Sequence, residues 1–134
     1  MTPKSIKVLL VEDDLGDALW IQELLEAAAR SFLKFDLHHC SRLAEALEYC
    51  AAETPDAVLL DLGLPDSHGM ITLKSLVDVA PDLPVVVLTG LADEEFGAAA
   101  VQRGAQDYLI KGQFNQDQLV RSLRYALERK QAEE

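Results

Sequence analysis

Apolar runs rich in β-branched residues alternate with helical patterns along the whole chain. That alternation constrains the fold more than any other feature. Ile6 to Val11 reads Ile-Lys-Val-Leu-Leu-Val, the near-continuous apolar kind of strand that a parallel sheet covers on both faces. Ala18, Ile21, Leu25, Ala28 and Phe32 follow at spacings of three and four, which predicts an amphipathic helix. Lys34 to Cys40 alternates weakly and reads as a strand towards the edge of the sheet. Ser41 is placed to cap a second helix with the stripe Leu43, Ala46, Leu47, Cys50 and Ala51, broken at Thr54-Pro55. Ala57 to Leu62 is the next strong strand, and Leu64 to Gly69 is a loop. Met70, Leu73, Val77 and Ala80 mark a third helix, stopped by Pro81 and Pro84. Val85 to Leu88 is a strand, Phe96, Ala99, Ala100 and Arg103 sit on a fourth helix, and Gly104 ends it. Tyr108 to Ile110 is a short strand. Asn115 caps a last helix, with Gln118 completing a capping box and Leu119, Leu123, Ala126 and Leu127 forming the buried stripe.

Strict alternation of five strands and five helices demands an α/β fold: a doubly wound parallel sheet with helices on both faces. A length of 134 residues suits one such domain. The polar stretch 128–134 is either a frayed helix end or the start of a connecting helix. The net charge of −11 argues against a nucleic-acid surface and against an anionic membrane. No apolar run approaches a membrane span, and no secretory leader opens the chain, so a cytoplasmic location is expected. Cys40 and Cys50 make no metal motif and read as reduced thiols, with a disulfide left open. The charge is uneven. Residues 1–110 hold 7 basic and 19 acidic side chains, against 5 and 4 beyond. An acidic body serves solubility; the sharper reading is that some carboxylates converge on a cation.

In a doubly wound sheet, ligands bind at the carboxyl ends of the strands. The first strand ends in Glu12-Asp13-Asp14, the third in Asp61, the fourth in Thr89-Gly90 and the fifth in Lys111-Gly112. Each residue alone has a plain role: Asp13 or Asp14 as a helix cap, Asp61 in a turn, Thr89 as a strand former, Lys111 on the surface. Those plain roles do not account for all of them at the ends of strands that share one edge. Clustered carboxylates repel unless a positive charge sits among them. Lys111 supplies one, and hard oxygen donors without nearby His or Cys suit Mg²⁺. The same set suits phosphoryl transfer to a carboxylate, where catalysis is mostly positioning and charge stabilisation.

Four strings, Val11-Glu12-Asp13-Asp14, Asp61-Leu-Gly-Leu-Pro65-Asp66 with Gly69, Leu88-Thr89-Gly90 and Asp107-Tyr108-Leu-Ile-Lys111, each fall at a predicted strand end. Together and in order they resemble the receiver domain of bacterial two-component response regulators, the CheY-like superfamily, from about Lys7 to Leu127. The resemblance implies a flavodoxin-like (βα)5 sandwich with strand order 2-1-3-4-5, a receiver over 1–127 and a helical tail over 128–134. It implies that Asp61 is the phosphoacceptor. Asp13, Asp61 and the Gly63 backbone carbonyl would hold Mg²⁺, with Glu12 helping through water. Lys111 would pair with the Asp61 carboxylate or phosphate, and Thr89 would be the switch hydroxyl. Tyr108 would be the switch aromatic, although an edge aromatic packed on the last helix is its plain reading. Gly63 and Leu91 stand where relatives tune the lifetime of the phosphate. One departure is Gly112, where the family usually has proline after the lysine.

The resemblance also implies partners: a histidine kinase or phosphotransfer protein upstream, and a protein or output domain downstream that reads the face of the fourth helix, fifth strand and fifth helix. A homodimer through the last helix is one form this takes. The domain stands alone or belongs to a longer kinase or diguanylate-cyclase protein. Gly97 in the fourth helix, costing about 1 kcal/mol relative to alanine, reads as a marginal element in a two-state switch. Two alternatives remain. One is a receiver that binds partners without phosphorylation. The other is a phosphatase with an Asp nucleophile, disfavoured because Gly63 stands where the second acid is needed. The expected chemistry is phosphoryl transfer to Asp61 and its loss, rather than enzymatic turnover.

Overall fold

The apolar runs assemble into one parallel sheet. The computed structural model describes residues 4–29, 33–90 and 94–133, which leaves Phe32, Leu91 and Glu134 outside the described residues. The elements in order are β1 (Lys4–Val11), α1 (Leu15–Ala28), β2 (Leu33–Cys40), α2 (Leu43–Ala52), β3 (Ala57–Asp61), β4 (Gly63–Leu64), β5 (Ser67–His68), α3 (Met70–Val79), β6 (Val85–Thr89), α4 (Glu94–Gln102), β7 (Asp107–Ile110) and α5 (Gln116–Glu133). Five strands form the main sheet in the order β2-β1-β3-β6-β7, all parallel. Since β4 and β5 form only a two-residue antiparallel ladder, this is the expected flavodoxin-like order.

The period of two along each strand divides the core. Leu9 and Val11, Val58 and Leu60, and Val85 and Val87 face one way, onto Leu43 and Ala46 of α2, Leu73 and Leu76 of α3 and Ala100 of α4. Ile6, Val8 and Leu10, Ala57 and Leu59, and Val86 and Leu88 face the other way, onto Ala18, Ile21 and Leu25 of α1 and Leu119 and Leu123 of α5. Central strands buried on both faces are why their sequences are apolar throughout.

Local signals set several helix ends. Asp14 is the N-cap of α1, its carboxylate accepting from the Asp17 amide at 3.0 Å. Before α5, the Asn115 and Gln118 side chains each accept from the other's backbone amide at 2.9 Å. Gly104, at φ +115°, follows α4 where a left-handed residue is required.

Three expectations need correction. Ser41 does not cap α2: the cap position is Arg42, whose side chain makes no capping bond. The Asp66 carboxylate reaches across instead, accepting from the amides of Leu43 at 2.8 Å and Ala44 at 3.0 Å. A carboxylate from elsewhere in the chain thus does what the local serine does not, while the Ser41 hydroxyl turns to Glu45. Ala51 is exposed, whereas Tyr49 joins Leu47 and Cys50 as a half-buried residue of α2, stacked on His38 with ring centroids 4.1 Å apart. The stretch Leu64–Gly69 is not all loop, since it carries the β4–β5 ladder closed by the Gly69 amide on the Leu62 carbonyl. Both cysteines are free thiols. Helix α5 runs on to Glu133, so the polar tail is helical through that residue. No helix among the described residues is long and apolar enough to cross a membrane.

Candidate functional site

Parallel register brings four strand ends side by side. Val11 pairs with Leu60, Asp61 with Leu88 and Thr89 with Ile110. The residues at or just past those ends are Glu12, Asp61, Thr89 and Lys111, and the structure gathers them at one edge. The Lys111 ammonium lies 2.6 Å from Asp61 Oδ2, 2.6 Å from Glu12 Oε2 and 3.2 Å from Asp17 Oδ2. Asp17 is a member that sequence reasoning missed. It sits on the first turn of α1, within reach of the acidic triplet, and that helical spacing was the available signal.

Backbone bonds hold the frame. The Glu12 amide donates to the Cys40 carbonyl at 3.0 Å, and the Lys111 amide donates to the Thr89 carbonyl at 2.8 Å. His39 Nε2 lies 2.7 Å from the Glu12 carbonyl oxygen, tying the end of β2 to the same point. The Gly63 amide donates to Asp61 Oδ1 at 2.8 Å, so both Asp61 oxygens are fixed, one by glycine and one by lysine.

Burial sets the electrostatics. The Glu12 side chain is fully buried, and that desolvation pushes its carboxyl up to about 7 despite the opposing pull of Lys111; Asp61 adds to the rise. Burial also disfavours the Lys111 charge, but Asp61 and Glu12 outweigh it and hold the ammonium above its ordinary value. Glu12, exposed Asp13 and Asp61 each offer one oxygen, all within 4.8 Å of one another. One ammonium among Glu12, Asp13, Asp17 and Asp61 leaves an excess of negative charge, and a donor set made only of oxygens fits a hard divalent cation. Asp14 points out as the cap of α1.

A cleft of about 330 Å³ opens beside Asp61, lined by Gly63, His68, Thr89, Gly90 and Phe96 among others. Thr89 is 3% exposed, and its hydroxyl has no hydrogen-bond partner among the described residues. A buried hydroxyl without a partner is uncommon and fits a group that enters the cleft with acceptor oxygens. Tyr108 is half-buried and packs on the core beneath α4. Its ring lies against Gly97: a Cβ built there would stand 2.4 Å from Tyr108 Cδ2 and 2.7 Å from Cγ. Only a glycine lets the ring lie there. Tyr108 therefore packs on α4, not on the last helix as in its plain reading.

Gly112 has φ +81°, and the Gln113 amide donates to the Ile110 carbonyl at 2.9 Å. The turn after Lys111 thus uses a left-handed residue at its third position, the place for glycine. Phe114, just beyond, packs on Trp20 of α1 with centroids 4.8 Å apart.

Comparison with known proteins gives the same picture. The profile of the response regulator receiver domain matches residues 8–124. The methanogenesis regulatory protein FilR1 of Methanothrix harundinacea is 33% identical over 81% of this chain and 24% of its own length. The response regulator MprA of Mycobacterium ulcerans is 32% identical over 97% of this chain and 53% of its own length. The chain spans about a quarter of the length of several curated relatives, among them the C4-dicarboxylate transport regulator DctD of Rhizobium meliloti. Among solved structures, a putative response regulator from Chloroflexus aurantiacus is 28% identical with TM-score 0.81, covering 93% of this chain and 99% of its own. The receiver of an HD domain-containing protein from Pseudomonas fluorescens is 28% identical with TM-score 0.82, covering 96% and 90%. A profile that matches most of the chain, on the fold and strand-end residues described above, establishes that the chain belongs to the response regulator receiver domain family.

Proposed function

We propose that this domain is a phosphoacceptor with Asp61 as the phosphorylated residue. The observation that carries the reading is the Lys111 ammonium held 2.6 Å from Asp61 Oδ2, beside further acids and the unpartnered hydroxyl of Thr89. An Asp61 oxygen attacks the phosphorus of a phosphohistidine. The P–N bond breaks, and its electron pair leaves with the imidazole, which takes up a proton. Lys111 orients Asp61 and balances charge on the transferred group, and the Gly63 amide holds the other carboxylate oxygen. Asp13, Asp61 and the Gly63 carbonyl would hold Mg²⁺, with Glu12 contributing through water. When bound, the cation neutralises charge on the phosphoryl oxygens. Thr89 then finds its missing partner in a phosphoryl oxygen and moves toward it. Phosphorylation adds roughly −1.5 to −2 charge units at this edge. Tyr108 and the α4–β7–α5 face transmit the change.

The domain, 1–127, works without turnover of a free substrate, between a histidine kinase or phosphotransfer protein and a downstream protein or output domain in the cytoplasm. The helical continuation of α5 through Glu133 and the greater length of the curated relatives favour a receiver joined to further domains through that helix. The same helix offers a route to a homodimer.

The test is acetyl phosphate with Mg²⁺, read by intact mass, on wild type and Asp61→Asn. The expected result is one added phosphoryl group on wild type and none on the variant. Wild type that gains no mass, and that shows no spectral change with beryllofluoride, overturns the reading and leaves a partner-binding receiver. Sustained phosphomonoester hydrolysis revives the phosphatase alternative.

A further inference from the structure

Asp66 is exposed and stands outside the acidic cluster, yet both of its carboxylate oxygens are engaged. Oδ1 accepts from the Leu43 amide at 2.8 Å and Oδ2 from the Ala44 amide at 3.0 Å. These are the first amides of α2, which has no cap of its own. Asp66 therefore caps a helix 22 positions upstream in sequence.

Its other attachment is covalent. Asp66 is in the connection between β4 and β5, and β4 begins at Gly63. The Gly63 amide donates to Asp61 Oδ1 at 2.8 Å. The Gly63–His68 and Leu64–Ser67 pairs make the segment a small hairpin. At its far end the Ser67 hydroxyl lies 2.7 Å from the Thr72 hydroxyl on α3. The hairpin that carries the Gly63 backbone is thus tied to two helices, to α3 by the Ser67–Thr72 hydroxyl pair and to the first amides of α2 by the Asp66 carboxylate. Two-residue strands cannot hold a position alone, because an isolated hairpin is at best marginal in water. A glycine at the working end makes external anchoring more necessary.

We infer that Asp66 is a positioning residue for the Asp61 site: by clamping the β4–β5 hairpin to the N-terminus of α2, it fixes the Gly63 backbone against the phosphoacceptor. This rests on the phosphoacceptor reading. Outer groups that orient ligands typically change metal affinity or activity about 10–100-fold when removed, and a single remote clamp belongs at the low end. The coupling is reciprocal, so anything that binds or displaces the start of α2 alters the site.

The test compares wild type, Asp66→Ala and Asp66→Asn, each at a temperature where circular dichroism reports a folded protein. Two quantities are read: Mg²⁺ affinity by calorimetry, and hydrogen exchange of the Gly63 amide without metal. Expected are Mg²⁺ binding about tenfold weaker in Asp66→Ala, faster Gly63 exchange, and intermediate values in Asp66→Asn, which keeps one acceptor oxygen. A cap that served only stability would leave both quantities unchanged in the folded protein. Should Asp66→Ala unfold, Asp66→Asn carries the comparison. If wild type binds Mg²⁺ while the folded variants match it in affinity and exchange, the inference is overturned and the phosphoacceptor reading stands. If wild type binds neither Mg²⁺ nor beryllofluoride, both fall together.

Discussion

Gly112 carries the turn that aims Lys111 at three carboxylates, and its φ of +81° decides what can replace it. Proline, the residue that the resemblance leads one to expect here, locks φ near −65°. Restoring it would force the turn to rebuild, so Gly112→Pro is expected to destabilise the domain by about 1–3 kcal/mol. Urea unfolding measures this, and an unchanged midpoint would mean that the turn is not held as described. The departure from the family pattern was legible in sequence, but its geometry was not, because glycine permits either sign of φ. The two thiols illustrate a second limit of composition. Their spacing excluded a metal motif but left a disulfide open, and their reactivity depends on burial. Burial, helped by the nearby negative charge of Glu45, pushes the Cys40 thiol up to about 12, and burial raises Cys50 as well. A raised thiol value means less thiolate at any working pH. Native Cys40 should therefore alkylate at pH 8 on the order of 10³-fold more slowly than the same residue in urea. Peptide mapping after timed iodoacetamide treatment checks it; labelling at the unfolded rate contradicts it.

Helix α4 sets two element-scale effects against each other at Gly97. By propensity, Gly97→Ala gains about 1 kcal/mol. By packing, the new Cβ would stand 2.4 Å from the Tyr108 ring, close to the ring's attachment, where the side chain cannot simply bend away. Inserting a methyl group into a filled space costs about 1–3 kcal/mol. The clash outweighs the gain in propensity, so Gly97→Ala should lower stability by about 1 kcal/mol net. In a Tyr108→Ala background the clash is gone, and the same substitution should become stabilising. A double-mutant cycle in urea reads that reversal of sign; an equal effect in both backgrounds would show that ring and glycine do not interact. Sequence alone suggested a slim helix in a switching region, but not the ring that occupies the space. Local pairs were legible: the Asn115–Gln118 box, Asp14 before α1 and Gly104 after α4 all lie within a turn of their partners. Gly97 with Tyr108, and Asp66 with the start of α2, join separate elements. No periodicity encodes such contacts, which is why Ser41 was the natural but wrong choice for the α2 cap.

The strict β-α alternation sorted core from surface and put Glu12, Asp61, Thr89 and Lys111 at strand ends from sequence alone, because a parallel sheet turns strand endings into one shared edge. What the alternation could not supply is the balance of charge at that edge. One ammonium serves Glu12, Asp17 and Asp61, with Asp13 beside them. Glu12, at about 7, is already reluctant to ionise. The fold thus holds an electrostatic load that a divalent cation would relieve in the native state alone, since the unfolded chain does not gather these acids. Linkage then predicts the response of the whole molecule. Above the dissociation constant, unfolding free energy should rise by about 1.4 kcal/mol for each tenfold increase in free Mg²⁺. Asp13→Asn should move that rise to higher Mg²⁺, and Asp61→Asn should do the same. Monovalent salt screens exposed charges without bridging carboxylates, so matched NaCl should give a shallower response that the two substitutions leave in place. Chemical denaturation along a Mg²⁺ series, with NaCl at equal ionic strength, makes the measurement. A rise that sets in at the same Mg²⁺ concentration in wild type and both variants, and that is no steeper than in matched NaCl, would mean that the acidic edge binds no cation and that its charge is simply tolerated.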